Sequence, residues 1–84
     1  MDRPASSGER LSGSLDRARI LLATALGLGP EALPDDVSPR TCKAWDSLAH
    51  VRIALAIETE RGTPLSAEEI LGLAGLEDIA ALLT

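Results

Sequence analysis

The chain has 84 residues, which is enough for one small domain with a modest core and little room for a deep catalytic pocket. Its formal net charge of −5 argues against nucleic acid and anionic membrane surfaces as partners, because both attract basic proteins. Hydrophobic residues make up 45% of the chain, with one Trp and no Phe or Tyr. Aliphatic residues with abundant Ala favour closely packed helices, so an all-α bundle is expected.

The first part of the chain predicts a tail followed by a long helix. Residues 1–12 are rich in Ser, Gly and charged residues and show no periodicity, which predicts a disordered N-terminal tail before a folded domain at 13–84. The first helix is expected to begin near Ser14, because apolar residues then recur at helical spacing. Gly27 and the nearby Pro30 predict its end.

A long connection follows, from Gly29 to Trp45. A loop of this length is unusual in a small domain, and such loops are commonly functional or contain short turns. Its three prolines reduce the entropy that is lost when the loop is ordered. Leu33 and Val37 are expected to anchor the loop to the core.

The second half of the chain predicts three more helices. Asp46 is expected to cap the second helix, because its carboxylate can accept a hydrogen bond from an amide of the first turn. Ser66 and Glu69 form an S-x-x-E capping box, which predicts a short third helix. A last helix is expected over about 76–83. The predicted fold is a small four-helix bundle of three main helices and one short helix. Its expected core residues are Leu15, Leu22, Leu26, Leu33, Leu48, Val51, Leu55, Ile57, Leu65, Ile70, Ile79 and Leu82.

The start of the second helix holds the residue of greatest chemical interest. With Asp46 as the cap, Ser47 lies in the first turn, and its hydroxyl should project into solvent. A phosphate ester there would meet the positive end of the helix dipole and unpaired amides. His50 could share a helix face with Ser47, yet no base-orienting carboxylate or oxyanion hole accompanies the pair. Such a site could hold a phosphodiester without a basic side chain beside it, and no catalytic residue is assigned.

Three motifs carry a resemblance to a known family. Asp46-Ser47-Leu48 heads the second helix, Leu26-Gly27-Leu28 ends the first, and Leu76-Glu77-Asp78-Ile79 opens the last. With this helix order, residues 15–83 resemble an acyl carrier protein. The Trp before Asp-Ser-Leu is similar to free-standing carriers of polyketide and other specialised pathways rather than to the housekeeping fatty-acid carrier.

The resemblance implies a non-catalytic role for residues 13–84 as an acyl carrier domain. A phosphopantetheinyl transferase, using Mg²⁺, would place 4′-phosphopantetheine from coenzyme A on Ser47, with Asp46 serving as helix cap and in transferase recognition. An acyl group would then be carried as a thioester on the arm. It would be delivered to partner enzymes such as ligases, acyltransferases or ketosynthases. A monomeric protein without a metal site of its own is expected.

The same resemblance implies that Leu48, His50, Val51 and Arg52 on the second helix contact partner enzymes. The family's second helix is acidic on its exposed face, whereas here Ala49, His50 and Arg52 are expected on that face. Because charge complementarity sets specificity and association rate, the partners should differ from those of the fatty-acid carrier. Arg52 is the best candidate for a specificity determinant.

Cys42 and Trp45 lie at the end of the long loop, shortly before Ser47. Trp45 is expected to cover the helix start and pin the loop. Cys42, the only cysteine, cannot form an internal disulfide, which favours a reducing cytoplasm.

Two alternative functions are open. One is an aminoacyl carrier of the D-alanyl or peptidyl type, although Asp46 rather than His before Ser47 argues against the peptidyl type. The other is a helical protein-interaction module without a prosthetic group.

Overall fold

The computed structural model describes the backbone of residues 7–83 and the side chains of residues 13–83. The regular secondary structure of this part of the chain consists of helices, without strands. A 3₁₀ turn lies in the long loop, and none of the helices described is long and apolar enough to cross a membrane. The first helix packs against the second and the last, which also contact each other. The predicted small bundle of three main helices and one short helix is confirmed. In chain order the helices are α1 (Ser7–Leu26), α2 (Ser47–Arg61), α3 (Ala67–Leu71) and α4 (Leu76–Leu83).

Helix α1 begins at Ser7, earlier than the predicted start near Ser14, and residues 1–6 of the predicted tail lie outside the described residues. The helix ends as predicted. Gly27 takes the left-handed conformation at φ 75°, and the amide of Leu28 donates to the carbonyl of Ala23 at 2.8 Å. This arrangement satisfies a carbonyl that the last turn leaves without a helical partner.

The long loop is anchored to the bundle by the two residues that the sequence indicated. Leu33 and Val37 are buried, at 5% and 2% exposure. The guanidinium of Arg19 on α1 donates to the carbonyl of Leu33 at 2.6 Å and pairs with the carboxylate of Asp35. The loop is therefore held to α1 by both apolar and polar contacts.

Side-chain caps define the starts of α2 and α3. The Asp46 carboxylate accepts a hydrogen bond from the amide of Ala49 at 2.9 Å. At α3, Ser66 Oγ accepts from the amide of Glu69 at 3.1 Å, and the Glu69 carboxylate accepts from the amide of Ser66 at 2.9 Å. Both predicted caps are confirmed, so local hydrogen bonding decides where these helices begin.

The predicted core is confirmed in part. Three of its members, Leu26, Ile70 and Leu82, are half-buried and pack against the core, whereas Leu15 is 38% exposed, and its prediction as a core residue was wrong. Leu15 lies on the surface beside Asp16 and Leu76. The predicted core residues that the structure buries are Leu22, Leu33, Ile57, Leu65 and Ile79.

Helix α2 turns only part of its predicted face to the core: Ile57 is buried as predicted, but the other core residues predicted on this helix are not. Three residues of α2 that were predicted in the core are exposed: Leu48 at 60%, Val51 at 52% and Leu55 at 56%. Aliphatic residues occur on both sides of α2, so helical periodicity permits either side to face inward. The side that packs carries two isoleucines in the centre of the core and two alanines that allow close approach of neighbouring helices. The residues on this side are Ala49, Ile53, Ala54 and Ile57.

The capping box makes the stability of the bundle depend on pH. The hydrogen bond from the backbone amide of Ser66 lowers the pKa of Glu69, and Arg61 lowers it further. Because the folded-state pKa is depressed, the stabilisation is present above the ordinary Glu pKa of about 4.3 and is lost as the pH falls through the folded value. We expect Glu69→Gln to lower the free energy of unfolding at neutral pH and the difference from wild type to shrink on acidification. Urea unfolding followed by circular dichroism at several pH values measures this difference.

The control for that experiment is Glu68→Gln, which changes an exposed neighbour outside the capping box. Its difference from wild type should vary less with pH than that of Glu69→Gln. A pH-independent difference for Glu69→Gln would contradict the role given to the capping carboxylate.

Candidate functional site

Ser47 is exposed and is the first residue of α2. Two oxygens of Asp46 accept hydrogen bonds from this helix: the carboxylate Oδ1 from the amide of Ala49 and the carbonyl from the amide of His50, each at 2.9 Å. The amides of Ser47 and Leu48 cannot bond within the helix, and no other described residue accepts from them. The Ser47 hydroxyl therefore stands free beside two unpaired N–H groups.

This arrangement suits a phosphate ester on Ser47. The aligned peptides of α2, which has 15 residues, place partial positive charge at its N-terminus. The first turn of α2 contains no acidic residue. The Asp46 carboxylate, just before this turn, accepts a hydrogen bond from the amide of Ala49 as the helix cap. The residues present thus fit a covalently attached phosphopantetheine arm, which they would hold through Ser47 Oγ with support from the helix terminus.

A chain of hydrogen bonds runs beside Ser47 from the loop to α3. The indole Nε1–H of Trp45 donates to Nδ1 of His50 at 3.0 Å. An indole N–H can only donate, so Nδ1 must accept and the imidazole proton lies on Nε2. Nε2 is 2.7 Å from the carbonyl of Ile70 and donates to it. We call these three residues the Trp45–His50–Ile70 relay.

The relay corrects one sequence-based prediction and supports another. Trp45 is 3% exposed and pins the end of the loop against the start of α2, as predicted. His50 was expected on the exposed face, but it is half-buried and both of its ring nitrogens are engaged. It therefore has no free nitrogen with which to take a proton from Ser47. Its neighbour Ala49, also expected on the exposed face, is 4% exposed and belongs to the buried side.

An apolar surface follows Ser47 along α2. Leu48, Val51 and Leu55 recur at helical spacing, and each is more than half exposed. We call these three residues the apolar stripe. Leu48 and Val51 were proposed as partner contacts from the resemblance, and the structure places both on the surface within one turn of Ser47.

A groove of about 470 Å³ lies between α1 and α2, next to the apolar stripe. Arg52 lies at the end of this α1–α2 groove that is nearer to Ser47 along α2, and it forms no ion pair within the described part of the chain. The other end is closed by an ion pair between Arg17 and Glu60 at 3.1 Å. The side chains that line the groove between these ends are Ile20, Leu21, Thr24, Ala25, Ala56 and Thr59.

The sequence did not predict the groove. Its one signal was Ile20, an aliphatic residue off the predicted buried stripe of α1, and it is 57% exposed in the structure. A single exposed aliphatic residue is ordinary on a protein surface. Only the antiparallel packing of α1 against α2 brings Ile20 and Ala56 to one groove.

Comparison with protein-family models finds no match to this chain, and no curated protein is significantly similar to it.

The relay gives a stability prediction. His50→Ala removes the acceptor of the Trp45 indole and the donor to the Ile70 carbonyl, and leaving such buried groups unpaired costs about 1–3 kcal/mol. We expect the free energy of unfolding to fall by that amount. Trp45 is the only tryptophan, so urea unfolding can be followed by its fluorescence, whose folded-state emission should also change. Arg52→Ala, on the same helix and exposed, is the control and should stay within about 0.5 kcal/mol of wild type. Equal stability of wild type and His50→Ala would contradict the anchoring role.

Proposed function

We propose that this chain is an acyl carrier protein that bears a 4′-phosphopantetheine arm on Ser47. The observation that carries the proposal is the exposed hydroxyl of Ser47, directly after the Asp46 cap and beside two unpaired amides. The resemblance of Asp46-Ser47-Leu48 and of the helix order to acyl carriers points to the same residue. The proposed setting is polyketide or other specialised biosynthesis in the cytoplasm, with the protein acting as a monomer.

Attachment of the arm requires a separate transferase with Mg²⁺. Ser47 Oγ forms the new bond to phosphorus, the serine proton passes to a base on the transferase, and coenzyme A releases adenosine 3′,5′-bisphosphate. Asp46 holds the first turn of α2 so that the hydroxyl remains accessible. When bound, the arm supplies a terminal thiol that carries the acyl group as a thioester. Tethering raises the effective concentration of the cargo at each partner's active site.

The apolar stripe and Arg52 form the proposed contact surface for partner enzymes, which include ligases, acyltransferases or ketosynthases. The segment of α2 from Ser47 to Ile57 contains no carboxylate, and Arg52 is its only charged residue when His50 is neutral. A partner would therefore need apolar contacts and an acceptor for the guanidinium rather than a basic patch. His50, with both nitrogens engaged, would contribute by positioning α3 rather than through a free polar group.

Two alternatives remain, and arm attachment tests only the second of them. An aminoacyl carrier would bear the same arm, and only the cargo on protein purified from its native host distinguishes it. A helical interaction module without a prosthetic group is favoured by the exposure of the apolar stripe, since contiguous exposed apolar residues commonly mark protein contacts. That module would not be modified on Ser47.

Arm attachment is the central prediction. Incubation with coenzyme A, Mg²⁺ and a broad-specificity phosphopantetheinyl transferase should raise the intact mass by one phosphopantetheine. Ser47→Ala should abolish the rise because it removes the attacking oxygen. Ser66→Ala, which changes another exposed serine at a helix start, is the matched control and should still be loaded. An unchanged wild-type mass, under conditions that load a known carrier, would contradict the proposed carrier function and favour the interaction module.

A second prediction separates the two proposed roles of Asp46. Asp46→Asn keeps a good capping residue but removes the charge, whereas Asp46→Ala removes both. We expect Asp46→Ala to lose about 1 kcal/mol of stability and Asp46→Asn to lose little. If the transferase recognises the carboxylate, both variants should be loaded more slowly than wild type. Thermal unfolding measures the capping role, and the rate of the mass increase measures recognition by the transferase. If both variants are loaded at the wild-type rate, the transferase does not recognise the Asp46 carboxylate.

A further inference from the structure

We propose that the α1–α2 groove receives an aliphatic acyl chain carried by the arm on Ser47. This inference rests on the proposed carrier function and names the class of cargo and the surface that shelters it. The groove lies on the α1 side of α2, and most of the surface that lines it is apolar, with charged residues at its two ends. Three features of the structure lead to this assignment: the filled core, the closed α3 side of α2, and the continuous surface from Ser47 to the groove.

The core leaves little space for cargo. Leu22, Ile53, Ile57 and Ile79 have no exposed surface and pack together at the centre of the bundle. Protein cores are packed at close to crystal density, so a chain could enter only by displacing side chains or separating helices. An acyl chain is therefore better accommodated on the surface, in a depression that already exists.

The α3 side of α2 is closed beside Ser47. The imidazole of His50 bridges from the indole of Trp45 to the carbonyl of Ile70, so it spans the space between α2 and α3. A chain inserted there would have to break both hydrogen bonds and leave a buried indole N–H unpaired. Such a loss is costly because buried polar groups need partners. This directs an aliphatic chain to the opposite side of α2.

The α1 side is open and is reached over apolar surface. Arg52 follows Ser47 by five residues, a rise of about 7.5 Å along α2, and the groove continues from there to Glu60. Leu48 and Leu55 lie between Ser47 and the groove around the helix, and both are more than half exposed. Aliphatic surface therefore continues from the attachment point to the groove walls.

The charge at the mouth of the groove suits an anionic arm. Arg52 has no ion-pair partner among the described residues, and it lies at the end nearest to Ser47. Its guanidinium can attract the negatively charged phosphodiester toward this side of α2. At the far end, Arg17 and Glu60 neutralise each other, so no net charge opposes the end of an aliphatic chain.

The shape of the groove indicates how the cargo would be held. Its volume of about 470 Å³ falls in the range of ordinary small-molecule sites, but it is an open surface groove rather than an enclosed cavity. Burial of aliphatic surface against Ile20, Leu21 and Ala56 would favour residence there by the hydrophobic effect. Because the groove is open, a partner enzyme could still withdraw the chain. Polar cargo such as an amino acid would gain little from these walls.

The test compares two loaded forms of the full chain by nuclear magnetic resonance. A broad-specificity transferase loads Ser47 from octanoyl coenzyme A or from acetyl coenzyme A, on protein labelled at the Ile, Leu and Ala methyl groups. Shift differences between the two forms should concentrate at Ile20, Leu21 and Ala56, with nuclear Overhauser contacts from the octanoyl chain. The exposed substitution Ile20→Glu should abolish these differences. Leu71→Glu, the same kind of change at an 82% exposed position on α3, should leave them intact.

Each outcome separates this inference from the carrier function. Loading without shift differences in the groove overturns the groove assignment and leaves the carrier function standing. Differences centred on Ile53, Ile57 or Ile70 also overturn it, because the chain would then enter the core or the α3 side. If neither coenzyme A thioester raises the mass, the carrier function fails and this inference falls with it. If Ile20→Glu does not fold, the comparison of the octanoyl and acetyl forms of the wild-type protein still tests the groove assignment.

Discussion

The hydrogen bonds from Trp45 through His50 to Ile70 join three parts of the molecule that the chain keeps apart: the end of the long loop, the first turn of α2 and the end of α3. One neutral imidazole satisfies both a buried indole donor and a backbone carbonyl. A hydrogen bond that is partly shielded from solvent is stronger than one in water, and removing one partner leaves a buried polar group unpaired, which lowers the free energy of unfolding. These two hydrogen bonds therefore hold the first turn of α2, and Ser47 with it, in a defined position relative to the end of α3.

The relay also divides the surroundings of Ser47 into two unlike sides. Toward α3, His50 bridges the indole of Trp45 and the carbonyl of Ile70. Toward α1, α2 presents the apolar stripe, Arg52 and the α1–α2 groove. The chain carries a net charge of −5, and four of its carboxylates line one surface pocket between the loop and the start of α4: Asp35, Asp36, Glu77 and Asp78. An acidic protein would be repelled by these carboxylates and attracted by Arg52, so the charges would favour one orientation of approach.

Helix α2 carries aliphatic residues on two faces, of which only one packs in the core. Ile53 and Ile57 lie at the centre of the core and hold the bundle together. On the other face, Leu48 and Leu55 remain more than half exposed, where they add nothing to the core. Exposing large aliphatic side chains in a row has a solubility cost, and such rows commonly mark contacts with other molecules. The proposed function and the proposed groove both draw on this second face.

The amino-acid sequence by itself determined the helix order, the caps at Asp46 and Ser66, and the place of Ser47 in a first turn, because caps and helix ends depend on hydrogen bonds between residues close in the chain. It could not determine which face of α2 is buried, since aliphatic residues at two helical phases fit the same periodicity. Tertiary packing made that choice, because only the isoleucine and alanine side fits closely against α1 and α4. The same packing turned His50 inward and formed the groove, which needs side chains from two helices far apart in the sequence.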